Sequence, residues 1–222
     1  MRHLVAIETS TDLGSIAVGA GDELLGEMLI GMRSRHAESL LPALDFLLRT
    51  SRLERRDITG VVVGSGPGSF TGVRVAAATG RGLCHGLGVP LFAWSSLAVL
   101  AAASTVDGPV CALFDARRGE VYAACYDVRG GTIRSTLMEP MAGPVADVRA
   151  RLGSLSPYFV GEGAVRYAEE LGLEAPAPVP PRASALLRLA TSGAAGGGPV
   201  SHASAWEPGY VRESGAERGI AG

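Results

Sequence analysis

The stretch from Ile58 to Gly72 constrains the fold of this chain more than any other part of it. Ile58 to Gly64 reads Ile-Thr-Gly-Val-Val-Val-Gly, a β-branched run suited to a strand buried on both faces. It feeds the glycine-rich segment Gly64-Ser65-Gly66-Pro67-Gly68-Ser69-Phe70-Thr71-Gly72, and helical spacing follows from Val73 to Leu87. A short strand, Val89 to Ala93, and a further helix, Ser95 to Ala103, come next. Strands of this kind lie parallel, because a parallel neighbour can be reached only through a crossover and a helix supplies it.

The residues before this unit are expected to form an antiparallel meander. His3 to Thr9 is a strand, Thr11-Asp12-Leu13-Gly14 a turn, and Ser15 to Ala20 and Glu23 to Ile30 are two further strands. The second half opens in the same way. Val110 to Phe114 is a strand, Asp115 to Gly119 a turn, and Glu120 to Asp127 and Thr132 to Leu137 return. The expected fold is therefore α/β, with two duplicated domains that each begin with a three-stranded meander on a mixed sheet. The division is expected at 1–104 and 105–204, with the C-terminal segment of about 205–222 returning to the first domain. Signals weaken after the second meander, and 175–181 and Gly193 to Pro199 read as loops, so the second domain is expected to be reduced.

Between the first meander and the buried strand, a helix is expected from Ala37 to Thr50. Ala37, Leu40, Leu41, Leu44, Leu47 and Leu48 share one side, with Phe46 opposite them. On the helix after the glycine loop, Val73, Ala76, Ala77, Gly80, Leu83, Cys84 and Leu87 make a core stripe. The opposite side carries Val75, Ala78, Thr79, Gly82 and Gly86. A solvent-facing helix would carry more charge there, whereas small side chains let another helix approach closely. Phe46 and these five residues are therefore the candidate partner interface.

Composition excludes several chemistries. The 222 residues contain no lysine, asparagine or glutamine, so there is no P-loop lysine, no Schiff base and no bidentate amide reading of adenine. A formal net charge of −2 argues against a broad nucleic-acid-binding surface. Arg33, Arg35, Arg49, Arg52, Arg55 and Arg56 do cluster, but Glu38, Asp45, Glu54 and Asp57 partly cancel them, which describes a solvated mixed-charge face. The four histidines lack ligand spacing, so no metal site is expected. Three widely spaced cysteines without a CxxC read as reduced core thiols. The longest apolar stretch is broken by Pro90 and Ser95-Ser96, and Glu8 interrupts any signal peptide, which leads to the expectation of a cytoplasmic protein with no membrane contact.

Two groups could line a cleft. The acids Glu8, Asp12, Asp115 and Glu120 stand at strand ends and turns, where carboxylates can hold a cation or simply bond their own backbone. The glycines Gly66 and Gly68, with Ser69, form a loop whose N–H groups could face an anion or only let the helix pack closely.

Taken together, Ala6-Ile7-Glu8-Thr9-Ser10-Thr11, Gly66 to Arg74 and Asp115-Ala116-Arg117-Arg118-Gly119-Glu120-Val121-Tyr122 resemble the three signatures of the TsaB family. Glu207 to Arg212 is similar to its C-terminal motif. The resemblance implies an actin-like ATPase fold of two ribonuclease-H-like domains. The catalytic relative TsaD carries two metal-binding histidines four residues apart; here Ser96 and Leu100 stand in their places, and neither is a useful ligand. What the resemblance implies is a non-catalytic scaffold that pairs with a TsaD-like catalytic subunit and is joined by a TsaE-like ATPase. TsaD transfers threonylcarbamoyl to the adenosine beside the tRNA anticodon. Glu8, Asp12, Gly66, Gly68, Ser69, Asp115 and Glu120 would then line a degenerate cleft, with no cofactor or only weak nucleotide binding. The tRNA would be met only through the complex, and the isolated chain could form a homodimer. The enzymatic alternative is a small phosphotransferase of the same fold binding ATP between its domains. A glycoprotease and a tRNA-binding module are further alternatives that these residues support less.

Overall fold

The computed structural model describes residues 2–31, 38–174, 176 and 178–209. Ala37, the expected start of the first helix, and the tail from Tyr210 onward lie outside the described residues, as do Arg33 and Arg35.

The first meander is β1 (His3–Glu8), β2 (Leu13–Ala20) and β3 (Glu23–Gly31). After α1 (Leu40–Thr50) come β4 (Ile58–Gly64), α2 (Phe70–Leu87), β5 (Leu91–Trp94) and α3 (Ser96–Ala103). The second meander is β6 (Gly108–Arg117), β7 (Glu120–Arg129) and β8 (Thr132–Pro144). It is followed by α4 (Val145–Leu152), β9 (Tyr158–Val160), the short helices α5 (Glu162–Arg166) and α6 (Ala168–Leu171), then α7 (Ala183–Ser192) and β10 (Gly197–Pro199).

Two sheets form, in the orders β10-β5-β4-β1-β2-β3 and β8-β7-β6-β9. In the first, β1 runs antiparallel to β2 and parallel to β4. In the second, β6 runs antiparallel to β7 and parallel to β9. The arrangement β3-β2-β1-β4 is thus repeated as β8-β7-β6-β9, which is the duplication the two meanders predicted. Val61, Val62 and Val63 of β4 are fully buried between neighbours on both sides, as a β-branched run in a parallel position requires.

The helices lie in three layers. On the outer face of the first sheet, Leu40, Leu44, Leu47 and Leu48 of α1 join Val5, Ile7, Ile16, Val18, Val61 and Val63, with Ala76 and Cys84 from α2. On the outer face of the second, Val145 and Val148 of α4 pack on Cys111, Leu113, Ala123 and Cys125. Between the sheets lie α3 and α7. From Ser96 to Ala102 every residue of α3 is buried, and this helix rests on β6, β7 and β8. In return α7 packs on β1 and β2. A continuous apolar cluster therefore runs from Ala6 and Val62 through Leu97 and Leu186 to Ala112 and Tyr126. Polar contacts fasten this crossing. Ser15 Oγ accepts the Ala183 N–H at 3.1 Å, and Glu27 accepts the Ser184 N–H and hydroxyl, both at 3.0 Å. These bonds satisfy donors that the start of α7 would otherwise leave open.

Four expectations are corrected. Leu41 is 51% exposed, because the sheet covers a narrower arc of α1 than the leucine stripe spans. The helix after the glycine loop begins at Phe70 rather than Val73, since Ser69 caps it by accepting the Gly72 N–H. Gly193 to Pro199 is not all loop, because Gly197–Pro199 pairs antiparallel with β5 as an edge strand. Asp115 lies in β6, not in a turn; the pairing of Arg117 with Glu120 places the turn at Arg118 and Gly119.

Candidate functional site

The two groups of site residues fall in different places. One is the cleft where the ends of β1 and β6 face the start of α2. It has a volume of about 370 Å³ and is lined by Ser10, Asp12, Gly68, Ser69, Asp115 and Glu162, among others. The other is the solvent-facing side of α1 and α2.

In the cleft, Asp115 is well engaged. Its side chain is 8% exposed and accepts the Arg117 N–H at 3.0 Å and the Tyr167 hydroxyl at 3.2 Å. Arg166 stands 3.2 Å from its other oxygen. Glu162 was not anticipated. Partial burial, followed by the charges of Asp115 and Asp12, pushes its carboxyl above the usual carboxylate range. Its place follows from the repeat only once β9 is seen. Strand β9 occupies the place of β4, so the loop after it had to reach the same cleft. Glu120, at the start of β7, is not among the cleft-lining residues.

Glu8 and Gly66 are corrections to the expected lining. Glu8 is fully buried and points into the protein. Its carboxylate accepts the Ser10 N–H at 2.7 Å and the Ser96 hydroxyl at 2.9 Å, and Ser96 Oγ accepts the Gly66 N–H at 3.2 Å. A chain of bonds thus ties β1, the glycine loop and α3 together. The loop's donors are largely engaged internally. The Ser69 N–H goes to the Ser10 carbonyl at 2.7 Å, and the Val73 N–H to the Ser69 carbonyl at 2.9 Å. Ser96 and Leu100, the two positions that the resemblance set against metal-binding histidines, are both fully buried between the sheets.

Burial raises the Glu8 carboxyl above its ordinary value, and its hydrogen bonds from the Ser10 N–H and the Ser96 hydroxyl oppose that rise without overcoming it. A raised folded-state value means stability that is complete below the unfolded pKa and is lost as pH rises through the folded one. Glu8→Gln removes this titration. The melting temperature of the wild type should therefore fall relative to the variant as pH rises above the ordinary carboxylate range. Each tenfold preference for the protonated form corresponds to about 1.4 kcal/mol, or ~3–5 °C in a chain of this size. A gap of the opposite slope would mean that the hydrogen bonds outweigh burial.

On the outer side, Phe46 is 56% exposed. Ala78, Gly82 and Gly86 are exposed, and Val75 and Thr79 are half-buried. A Cβ placed on Gly82 or Gly86 would meet nothing within 4 Å, so these glycines do not serve packing within the chain. Gly80 does serve it, lying against Val63 of the sheet. A groove of about 280 Å³ runs between the helices, lined by Leu41, Leu83, Leu87, Gly82 and Gly86 and rimmed by Asp45 and Arg55. Those two rim residues pair at 3.0 Å, and Arg56 pairs with Glu54 at the same distance. At the cleft end of α2, the Arg74 guanidinium lies 3.8 Å over the Phe70 ring.

Two mixed sheets of repeated order, with helices shared between them, define an actin-like ATPase fold of two ribonuclease-H-like units. Residues 31–185 match the family model described as "TsaD: tRNA N6-adenosine threonylcarbamoyltransferase". A Pseudomonas aeruginosa protein, described as having similarity to peptidase YeaZ, superposes with a TM-score of 0.83 at 30% identity, covering 96% of this chain and 100% of that one. YeaZ from the same organism superposes with a TM-score of 0.74 at 28% identity, covering 95% and 100%. The tRNA threonylcarbamoyladenosine biosynthesis protein TsaB of Bacillus subtilis is 34% identical over 135 residues, 60% of this chain and 59% of the relative. That of Escherichia coli is 35% identical over 127 residues, 56% and 54%. The chain belongs to the TsaB family. It spans a little over half the length of the curated relatives it matches. Among the described residues no helix is long and apolar enough to cross a membrane, and no group of three or more His, Cys, Asp or Glu could hold a metal ion.

Proposed function

We propose that this chain is a non-catalytic scaffold subunit in the synthesis of threonylcarbamoyladenosine on tRNA, working in the cytoplasm. It pairs with a TsaD-like catalytic subunit through the outer face of α1 and α2, and the pair recruits a TsaE-like ATPase. The observation that carries this reading is the open face itself. Gly82 and Gly86 have free space above them on a helix whose opposite side is packed, Leu41 lines the same groove, and Phe46 is exposed on α1. A homodimer of the isolated chain would use the same face. The chain divides near residue 104, and its return to the first unit begins at β10 (Gly197–Pro199), earlier than the expected residue 205, because β5 offers that strand an open edge; Trp206 packs against the outer core of the first sheet, in keeping with this. The degenerate cleft comprises Asp12, Gly68, Ser69 and Asp115, and it takes no cofactor.

The test is reconstitution with TsaD-like and TsaE-like subunits from the same source. Threonylcarbamoyl transfer to tRNA is expected to require this chain, while the chain alone gives no transfer, no sugar phosphorylation and no peptidase activity. ATP is expected to bind the isolated chain with a Kd on the order of 1 mM or weaker, about −4 kcal/mol. Transfer that proceeds equally well without the chain would overturn the scaffold role. Micromolar ATP binding with turnover would favour a phosphotransferase instead.

A further inference from the structure

We propose that Cys111 and Cys125 form a cross-strand dithiol that closes to a disulfide under a peroxide or a small disulfide oxidant, a modification site at the centre of the second sheet. The two residues are direct partners in the β6–β7 ladder, so their side chains leave the same face of the sheet. Directly opposed residues on antiparallel strands have Cα atoms about 4.5–5.5 Å apart, inside the range of about 4.4–6.8 Å that disulfides span. Both thiols are fully buried in one cluster with Met138 and Met141, whereas Cys84 lies in the separate cluster on the first sheet.

The chemistry is set by how the pair shares its protons. Cys111 is hydrogen-bonded to Cys125; that bond and burial push the Cys111 thiol well up, and the same bond brings the Cys125 thiol down. Cys125 is assigned as the nucleophile because the breaks in the β7–β8 ladder lie on both sides of it, which makes it the thiol a reagent reaches first. Its thiolate attacks one peroxide oxygen, the O–O bond breaks, and hydroxide leaves and takes up the Cys111 proton as water. The Cys111 thiolate then attacks the sulfenic sulfur, the S–O bond breaks, and the departing hydroxide takes up the proton that Cys125 had released and leaves as a second water. Two thiols and one peroxide become one disulfide and two waters, with the sulfurs oxidised and the peroxide reduced. With glutathione disulfide, the Cys125 thiolate displaces one glutathione to form a mixed disulfide and Cys111 displaces the other, so two glutathione thiols leave.

Access is the main barrier, since β6 and β7 are both interior strands. The ladder between β7 and β8, however, shifts register on both sides of Cys125, between Ala123 and Cys125 and between Cys125 and Tyr126. Broken pairing of this kind marks where a strand opens first. Oxidation should accordingly be slow in the native chain and faster in mild urea.

The test uses the folded wild-type chain with hydrogen peroxide and, separately, with glutathione disulfide. Cleavage at arginine places Cys125 on the peptide 119–129 and Cys111 with Cys84 on 82–117. The expected product links these two peptides, is two hydrogens lighter than their sum, and titrates one free thiol after denaturation instead of three. Fragmentation should locate the link at Cys111, and Cys84→Ser should form it equally. Three free thiols after prolonged oxidation in mild urea would overturn the proposal, as would a link through Cys84 or over-oxidation of Cys125 without a link.

Discussion

Gly82→Arg is expected to weaken binding of a TsaD-like partner at least tenfold while leaving the melting temperature of the isolated chain unchanged or slightly higher. On the free subunit the new side chain meets only solvent, because nothing lies within 4 Å of the position. Arginine is also the better helix former, by something under 1 kcal/mol. In a helix-to-helix contact the same side chain must be accommodated between two closely spaced backbones. Overpacking costs about 1–3 kcal/mol, and an unpaired buried charge adds to it, so a tenfold loss is the lower bound. Affinity and melting measured on one preparation decide the matter. A stable variant that binds the partner normally would remove this face as the contact.

Gly72→Ala, ten residues earlier on the same helix, should do the reverse. A Cβ at Gly72 would run into the Thr9 carbonyl, which belongs to the backbone at the end of β1 and cannot swing aside. The Thr9 hydroxyl also donates to the Gly72 carbonyl at 2.6 Å, a buried bond that any shift of α2 would stretch. Overpacking of about 1–3 kcal/mol plus a strained hydrogen bond of about 1 kcal/mol exceeds the gain of about 1 kcal/mol from removing a helical glycine. The net loss of roughly 1–3 kcal/mol corresponds to ~2–12 °C in melting temperature. Partner affinity per folded molecule should be unaffected. A variant that melts like the wild type would mean that α2 lifts freely from β1, contrary to its close packing.

The contrast between the two glycines shows what could be read from the sequence. Helical spacing separated the packed side of α2 from its small-residue side, because periodicity reports which residues face the core. It could not assign Gly72, whose constraint is a single carbonyl 63 residues earlier in the chain. Glu8 illustrates the same limit. A carboxylate at a strand end reads as a cleft residue, and only the approach of Ser96, 88 residues away, turns it inward. The short strand β10 is Gly-Gly-Pro, which has no β-propensity of its own and is a strand only because β5 offers an edge. The two meanders were legible because alternation and turn residues are local. Glu162 was not legible, because β9, which leads to it, is only three residues long and owes its pairing to β6.

The exchange of α3 and α7 between the sheets bears on how the chain is made. As the ribosome releases the first hundred residues, the inner face of β1 and β2 has no cover, because the helix that seals it begins only at Ala183. At roughly 5–20 residues per second, the interval between Ala103 and Ala183 lasts about 4–16 s. Throughout that interval Ala6, Ala17 and Val62 look onto an unfinished core. The nascent first half therefore carries uncovered apolar surface until a helix encoded in the second half arrives to seal it.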